Sequence, residues 1–136
     1  MARERFVDFM IGEWVQFGIG ILHGEPVEPE TYNEKFELKD GNTLLVTHDC
    51  FGDWETNEMN FFEDEDRVKM IQGDLVAEGF REGNVYILAG KEDDSEIKFK
   101  LYMMGDKFIQ HREVLRQGHV VQVDMSYLVR KKKASN

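Results

Sequence analysis

Apolar and polar residues alternate along most of this chain. In GEWVQFGIGIL, residues 12 to 22, Val15, Phe17, Ile19 and Ile21 occupy one face of an extended strand, and Trp14, Gln16, Gly18 and Gly20 occupy the other. The same period of two returns in IKFKLYM, where Ile97, Phe99, Leu101 and Met103 share a face. Only one segment has helical spacing: Phe6, Phe9 and Met10 fall at i, i+3 and i+4 ahead of Gly12. Beyond it the pattern predicts strands at 13–23, 31–38, 43–50, 54–62, 67–72, 75–80, 85–90, 96–103, 107–115 and 119–130. Turn-forming clusters such as KDGN at 39–42, REGN at 81–84 and RQGH at 116–119 separate them. Both prolines lie in EPVEPE at 25–30, which reads as a link between the first two strands.

Strands joined by hairpin-length turns must hide their edges, either by closing or by pairing as a sandwich. Because nearly every connection is short, closure is the better reading. The expectation is an all-β fold: an antiparallel up-and-down β-barrel of about ten strands with a short N-terminal helix. The 136 residues suffice for a single domain, 1–136, and no repeat or linker divides them.

Charge and cysteine content narrow the partners. A net charge of −10 speaks against nucleic acid, whose phosphates need clustered Lys and Arg. The one basic run, Lys131 to Lys133, reads as a solvated tail. Charges flank Phe6 on both sides, so the N-terminal segment predicts neither a secretory signal nor a membrane span. Cys50 stands alone and has no partner for an internal disulfide. A reduced, cytoplasmic setting is the expectation that follows. Its four histidines show no recognisable metal-ligand spacing, and neither a metal nor a cofactor is predicted.

The two ends of the chain carry a family likeness. A short helix (Phe6 to Met10), then Gly12-Glu13-Trp14 opening the first long strand, then YLVR ending in Arg130, resembles the calycin pattern of lipocalins and fatty-acid-binding proteins. The run from Trp14 to Gly20 also resembles the first strand of nitrobindin-like haem proteins and of small bacterial lipocalin-like domains. The resemblance implies that Trp14 points inward near the closed end of a barrel and that Arg130 packs close to it. The two-helix lid of fatty-acid-binding proteins has no counterpart, since 24–30 is too short, and no haem activity is carried over.

The last strand repeats the puzzle of the first. Val121, Val123, Met125, Tyr127 and Val129 form an apolar face opposite Gln122, Asp124, Ser126, Leu128 and Arg130. First and last strands pair when an up-and-down barrel closes, so their apolar stripes adjoin. Periodicity leaves open which way they face: inward they line a greasy cavity, outward they form a patch larger than monomers usually expose. The calycin likeness implies the outward arrangement. Val15, Phe17, Ile19, Ile21, Val121, Val123, Met125 and Tyr127 then become candidate homodimer contacts, and Trp14, Gln16, His111, Asp124, Ser126 and Arg130 candidate ligand contacts.

If Gln117-Gly118 is a two-residue turn, a regular hairpin sets His111 opposite Asp124 and Glu113 opposite Gln122. That trio could act as an acid–base group, although a structural hydrogen-bonded pair is the plainer reading. In the same register Arg112 faces away from Arg130, against the Arg/Tyr carboxylate clamp (with Tyr127) of fatty-acid-binding proteins. No catalytic residue is assigned. The leading expectation is binding of a small hydrophobic or amphipathic ligand inside the barrel, as a homodimer. A scaffold protein with a side-chain-filled barrel is the alternative, and an enzyme built on His111, Asp124 and Glu113 ranks last.

Overall fold

The structure, a computed structural model, describes residues 3–50 and 52–131, with the side chain of Cys50 outside the description. Phe51 and the lysines at 132 and 133 also lie outside the described residues. A five-residue helix, α1 (Phe6–Met10), precedes ten strands: β1 (Gly12–Leu22), β2 (Glu25–Asp40), β3 (Thr43–Cys50), β4 (Asp53–Asp64), β5 (Arg67–Gln72), β6 (Leu75–Glu82), β7 (Val85–Glu92), β8 (Ser95–Met104), β9 (Lys107–Arg116) and β10 (His119–Arg130). Each pairs antiparallel with its chain neighbour, and β1 pairs with β10 to close the barrel. No described helix is long and apolar enough to cross a membrane.

Inward-facing side chains follow the period of two. Leu44 and Val46 of β3, Val68 and Met70 of β5, Leu75 and Ala77 of β6, Ile97, Phe99, Leu101 and Met103 of β8, and Phe108 of β9 make the core. Helix α1 is too short to be stable alone. Its apolar face plugs one end of the barrel, where Phe6 stacks on Phe61 at 4.0 Å and meets Tyr86 and Phe108 edge-on at 5.8 Å. The opposite end, where the turns at 23–24, 73–74, 93–94 and 117–118 gather with Gly52, carries no such plug among the described residues.

Two glycines permit the close backbone approach of β6 and β7. A Cβ at Gly79 would lie 1.7 Å from the Ile87 carbonyl oxygen, and one at Gly90 would lie 2.2 Å from that of Val76.

Two expectations need correction. The 25–30 segment is not a link but the first part of β2, paired to β1 from Glu25. The register shifts between Gly18 and Gly20, so that Glu28 and Pro29 together face Ile19 in a bulge. On its other side β2 pairs with β3 only from Glu34 onward, so both prolines sit where no ladder bond is owed to β3. The second correction concerns the last hairpin. Its two-residue turn is present, with Gln117 and Gly118 at φ of 50° and 78°. A bulge between Val120 and Gln122 then moves every later pair by one, setting Arg112, not His111, opposite Asp124.

Candidate functional site

The opening strand faces the way the calycin likeness implied. Trp14 is fully buried, whereas Phe17, Ile19 and Ile21 are 45%, 59% and 49% exposed. Trp14 belongs to the closed end. Its Nε1 donates to the Met10 carbonyl at 2.8 Å, and the Arg130 guanidinium lies 4.2 Å over its ring. Arg130 in turn donates to the carbonyls of Phe9 and Ile11 at 2.5 and 2.9 Å, tying the last strand to α1. Both residues therefore build the floor rather than line the cavity.

A second polar group locks the same floor from the other side. Glu63 of β4 accepts from Arg81 and from the Tyr86 hydroxyl, both at 2.9 Å, and from the Phe6 backbone N–H at 2.6 Å. The Arg81 and Glu63 side chains are only 4% and 9% exposed. Burial, reinforced by the Glu63 charge, raises the Tyr86 phenol well above its ordinary range, so it remains a donor.

Above this floor is a cavity of about 380 Å³. Its lower wall is apolar, from Met10, Phe36, Val46, Met70, Leu101 and Leu128. Its upper wall is polar, with Gln16, Tyr32, Glu34, His48, Gln110 and Ser126. An adjoining recess of about 280 Å³ shares Gln16, Glu30, Tyr32, Gln110, Arg112 and Ser126 with it and continues past Gly18, Gly20 and Asp124. Gly20 leaves the room that Asp124 fills, since a Cβ there would be 2.5 Å from Asp124 Oδ1. Asp124 accepts from Arg112 through Nε at 2.9 Å and Nη2 at 2.5 Å, and from Gln122 Nε2 at 2.8 Å. Gln16 Nε2 donates to Ser126 Oγ at 3.3 Å.

Of the residues singled out from the sequence, Gln16, Asp124 and Ser126 thus gather at the cavity and its recess. His111 does not. It pairs with Met125 across the ladder and faces outward with Glu113, along an outer groove that includes Phe80 and Ile87. The His111/Asp124/Glu113 trio is accordingly not assembled, because the β10 bulge turns Asp124 inward and leaves the other two outside. Arg112 is the inward residue that the regular hairpin register placed on the wrong face.

Glu34 was not legible in the sequence. It sits in β2 opposite Trp14 and His48, is 9% exposed, and lines the cavity. Its Oε1 is buried and has no hydrogen-bond partner among the described residues. Burial pushes its carboxyl up to about 7. Its neighbour His48 lies 3.5 Å from Glu55 through Nε2.

The apolar stripes of β1 and β10 do lie side by side on the outside, with Val15 opposite Val129, Phe17 opposite Tyr127, Ile19 opposite Met125 and Ile21 opposite Val123. Phe17 and Tyr127 rings are 6.3 Å apart. Val121, the bulged residue, instead packs against the core.

No protein-family model matches the chain, and no curated protein matches it in sequence. Solved structures do match. The S-type phycobiliprotein lyase CPES from Guillardia theta superimposes with a TM-score of 0.73 at 13% identity, over 98% of this chain and 95% of the lyase. A protein of unknown function from the DUF3598 family of Nostoc punctiforme gives 0.66 at 12% identity, over 92% of this chain but 48% of that one. Rv2717c from M. tuberculosis gives 0.59 at 14% identity, over 93% of this chain and 95% of its own. Joined to the closed ten-strand barrel, the helix plug and the Trp14–Arg130 floor, these likenesses establish the fold as a lipocalin-like calycin barrel.

Proposed function

We propose that the barrel binds a small ligand with an apolar body and a polar head, and that the protein works as a homodimer through the outer β1–β10 stripe. The observation that carries the first part is the cavity. It has about 380 Å³ of space, apolar walls over a sealed floor, and polar groups towards the end that carries no helix plug among the described residues. A barrel filled by its own side chains, the scaffold alternative, would lack such space. The likeness to a phycobiliprotein lyase is in keeping with a ligand-handling barrel, while the identity of the ligand rests on this chain's own lining.

The test uses Nile red, a neutral apolar dye whose emission rises in a greasy site. Wild-type protein is expected to enhance it saturably. Ser126→Phe, which puts bulk into the cavity wall, is expected to abolish the enhancement, while Phe17→Asp, on the outer stripe and away from both cavity and recess, leaves it intact. Loss with Phe17→Asp and retention with Ser126→Phe would place the dye on the outside and overturn the proposal.

A further inference from the structure

We propose that Glu34 is the head-group receptor of this cavity and that the ligand is an amphiphile whose head is a protonated amine or comparable N–H-bearing cation. The inference rests on the ligand-binding reading above and goes further by naming the chemical class of the head.

Three observations carry it. Glu34 Oε1 is buried in the cavity wall without a donor, and a buried acceptor left unsatisfied is costly. A ligand N–H would satisfy it; a ligand carboxylate or ether oxygen would not. Next, Arg112 is the cationic side chain that lines the cavity, and Asp124 already engages it through two hydrogen bonds. Asp124, which Gln122 also holds, thus offsets the Arg112 charge and weakens its pull on an anionic head. Finally, Glu28 and Glu30 border the recess that leads in, which suits passage of a cation and opposes an anion.

Groups that face Glu34 from the surrounding elements bear on its titration. They are Glu30 and Tyr32 on β2 itself, His48 on β3 with Glu55 of β4 bound to it, Arg112 on β9 with Asp124 of β10, and on β1 and α1 only the uncharged Trp14, Gln16, Phe6 and Met10. An ammonium head binds the carboxylate form, so amine binding takes up Glu34 in its ionised state and displaces its proton at low pH. Amine affinity is expected to fall as pH drops below about 7, where burial holds the Glu34 proton.

The experiment is displacement of Nile red at pH 8 by decylamine, decanol and decanoate, which share one chain and differ in the head. Decylamine is expected to compete roughly tenfold or more better than decanol, with decanoate weakest. Glu34→Gln is expected to bring decylamine to within about threefold of decanol while leaving decanol unchanged. It is also expected to flatten the pH dependence of decylamine between pH 5.5 and 8. Unchanged decanol binding shows that the variant is folded and its cavity intact. Equal competition by all three, or stronger competition by decanoate, overturns the amine assignment while the cavity reading stands. Decylamine preference that survives Glu34→Gln overturns the role of Glu34. Absence of any Nile red binding to the wild type overturns the cavity reading, and this inference with it.

Discussion

At the scale of single residues, the sequence shows which side chains alternate but not what each one meets. Glu34 is one polar position among many in NEKFELKD, and its inward aim depends on the parity that barrel closure imposes on β2. Nothing local marks it as buried. Its effect on stability is nonetheless specific. The carboxyl titrates at 4.5 when unfolded and at about 7 when folded, so the native state binds the extra proton. Its contribution is neutral below pH 4.5, becomes unfavourable as pH rises towards 7, and stays so above that value. Glu34→Gln is therefore expected to match wild type near pH 4 and to be more stable at pH 8 by up to about 3 kcal/mol, read by urea unfolding at the two pH values. Equal stability at pH 8 would mean that the carboxyl is solvated. Gly79 is a contrasting case, readable as a strand glycine but not as a tight one. Gly79→Ala drives a methyl into the Ile87 carbonyl and is expected to cost about 3 kcal/mol or to prevent folding, seen as a lowered thermal midpoint. The same change at Gly73 meets open space but a φ of 59°, and is expected to cost only about 1 kcal/mol.

At the scale of elements, strand existence was the legible part, because amphipathic alternation and turn residues are local properties. Strands β3, β5 and β10 have the limits the pattern assigns, and the others differ by a few residues except β2. Segment 25–30 misled because proline normally argues against a strand, whereas here one flank is unpaired to β3 and Pro29 sits in a bulge. The β10 bulge cost more. One unpaired residue exchanges the faces of His111 and Arg112 relative to Asp124, converting an imagined His–Asp pair into an Arg–Asp one. A bulge at Val121 leaves no signature in HVVQVD, so only the pairing with β1 and β9 reveals it. The plug is likewise an element that long-range contacts create. Helix α1 is seated by Glu63, which also neutralises the buried Arg81. Glu63→Ala strands that guanidinium and is expected to destabilise by about 3–5 kcal/mol. Glu63→Ala with Arg81→Met removes the unpaired charge and is expected to recover part of the loss in the same denaturation assay. No recovery would show that the Phe6 N–H contact, rather than the ion pair, dominates the seat.

At the scale of the whole molecule, the question of which face of GEWVQFGIGIL lies inside is settled by two ends of the chain meeting. Trp14 is inside because β1 closes on β10 and α1 folds beneath both, and that leaves two apolar stripes adjacent on the outside. Rows of exposed Phe17, Ile19, Ile21 and Met125, flanked by Val15, Val123, Tyr127 and Val129, form a surface of several hundred Å² on the order-of-magnitude scale at which monomers become sticky. A two-fold axis over this surface would set each copy's β1–β10 ladder against its partner's, so the patch serves as its own complement. The patch contains no charged side chain to oppose that approach. The expected outcome is a dimer of about 32 kDa from two 15.9 kDa chains, measured by sedimentation equilibrium at micromolar concentration. Ile19→Asp places a charge at the centre of the stripe and is expected to give a 15.9 kDa monomer with an unchanged thermal midpoint at low protein concentration. Glu113→Gln, also on the outer face but on β9 beyond the stripe, is expected to leave the dimer intact. A wild-type monomer at those concentrations would overturn the dimer, and the exposed stripe would then have to be explained by a partner other than a second copy of the chain.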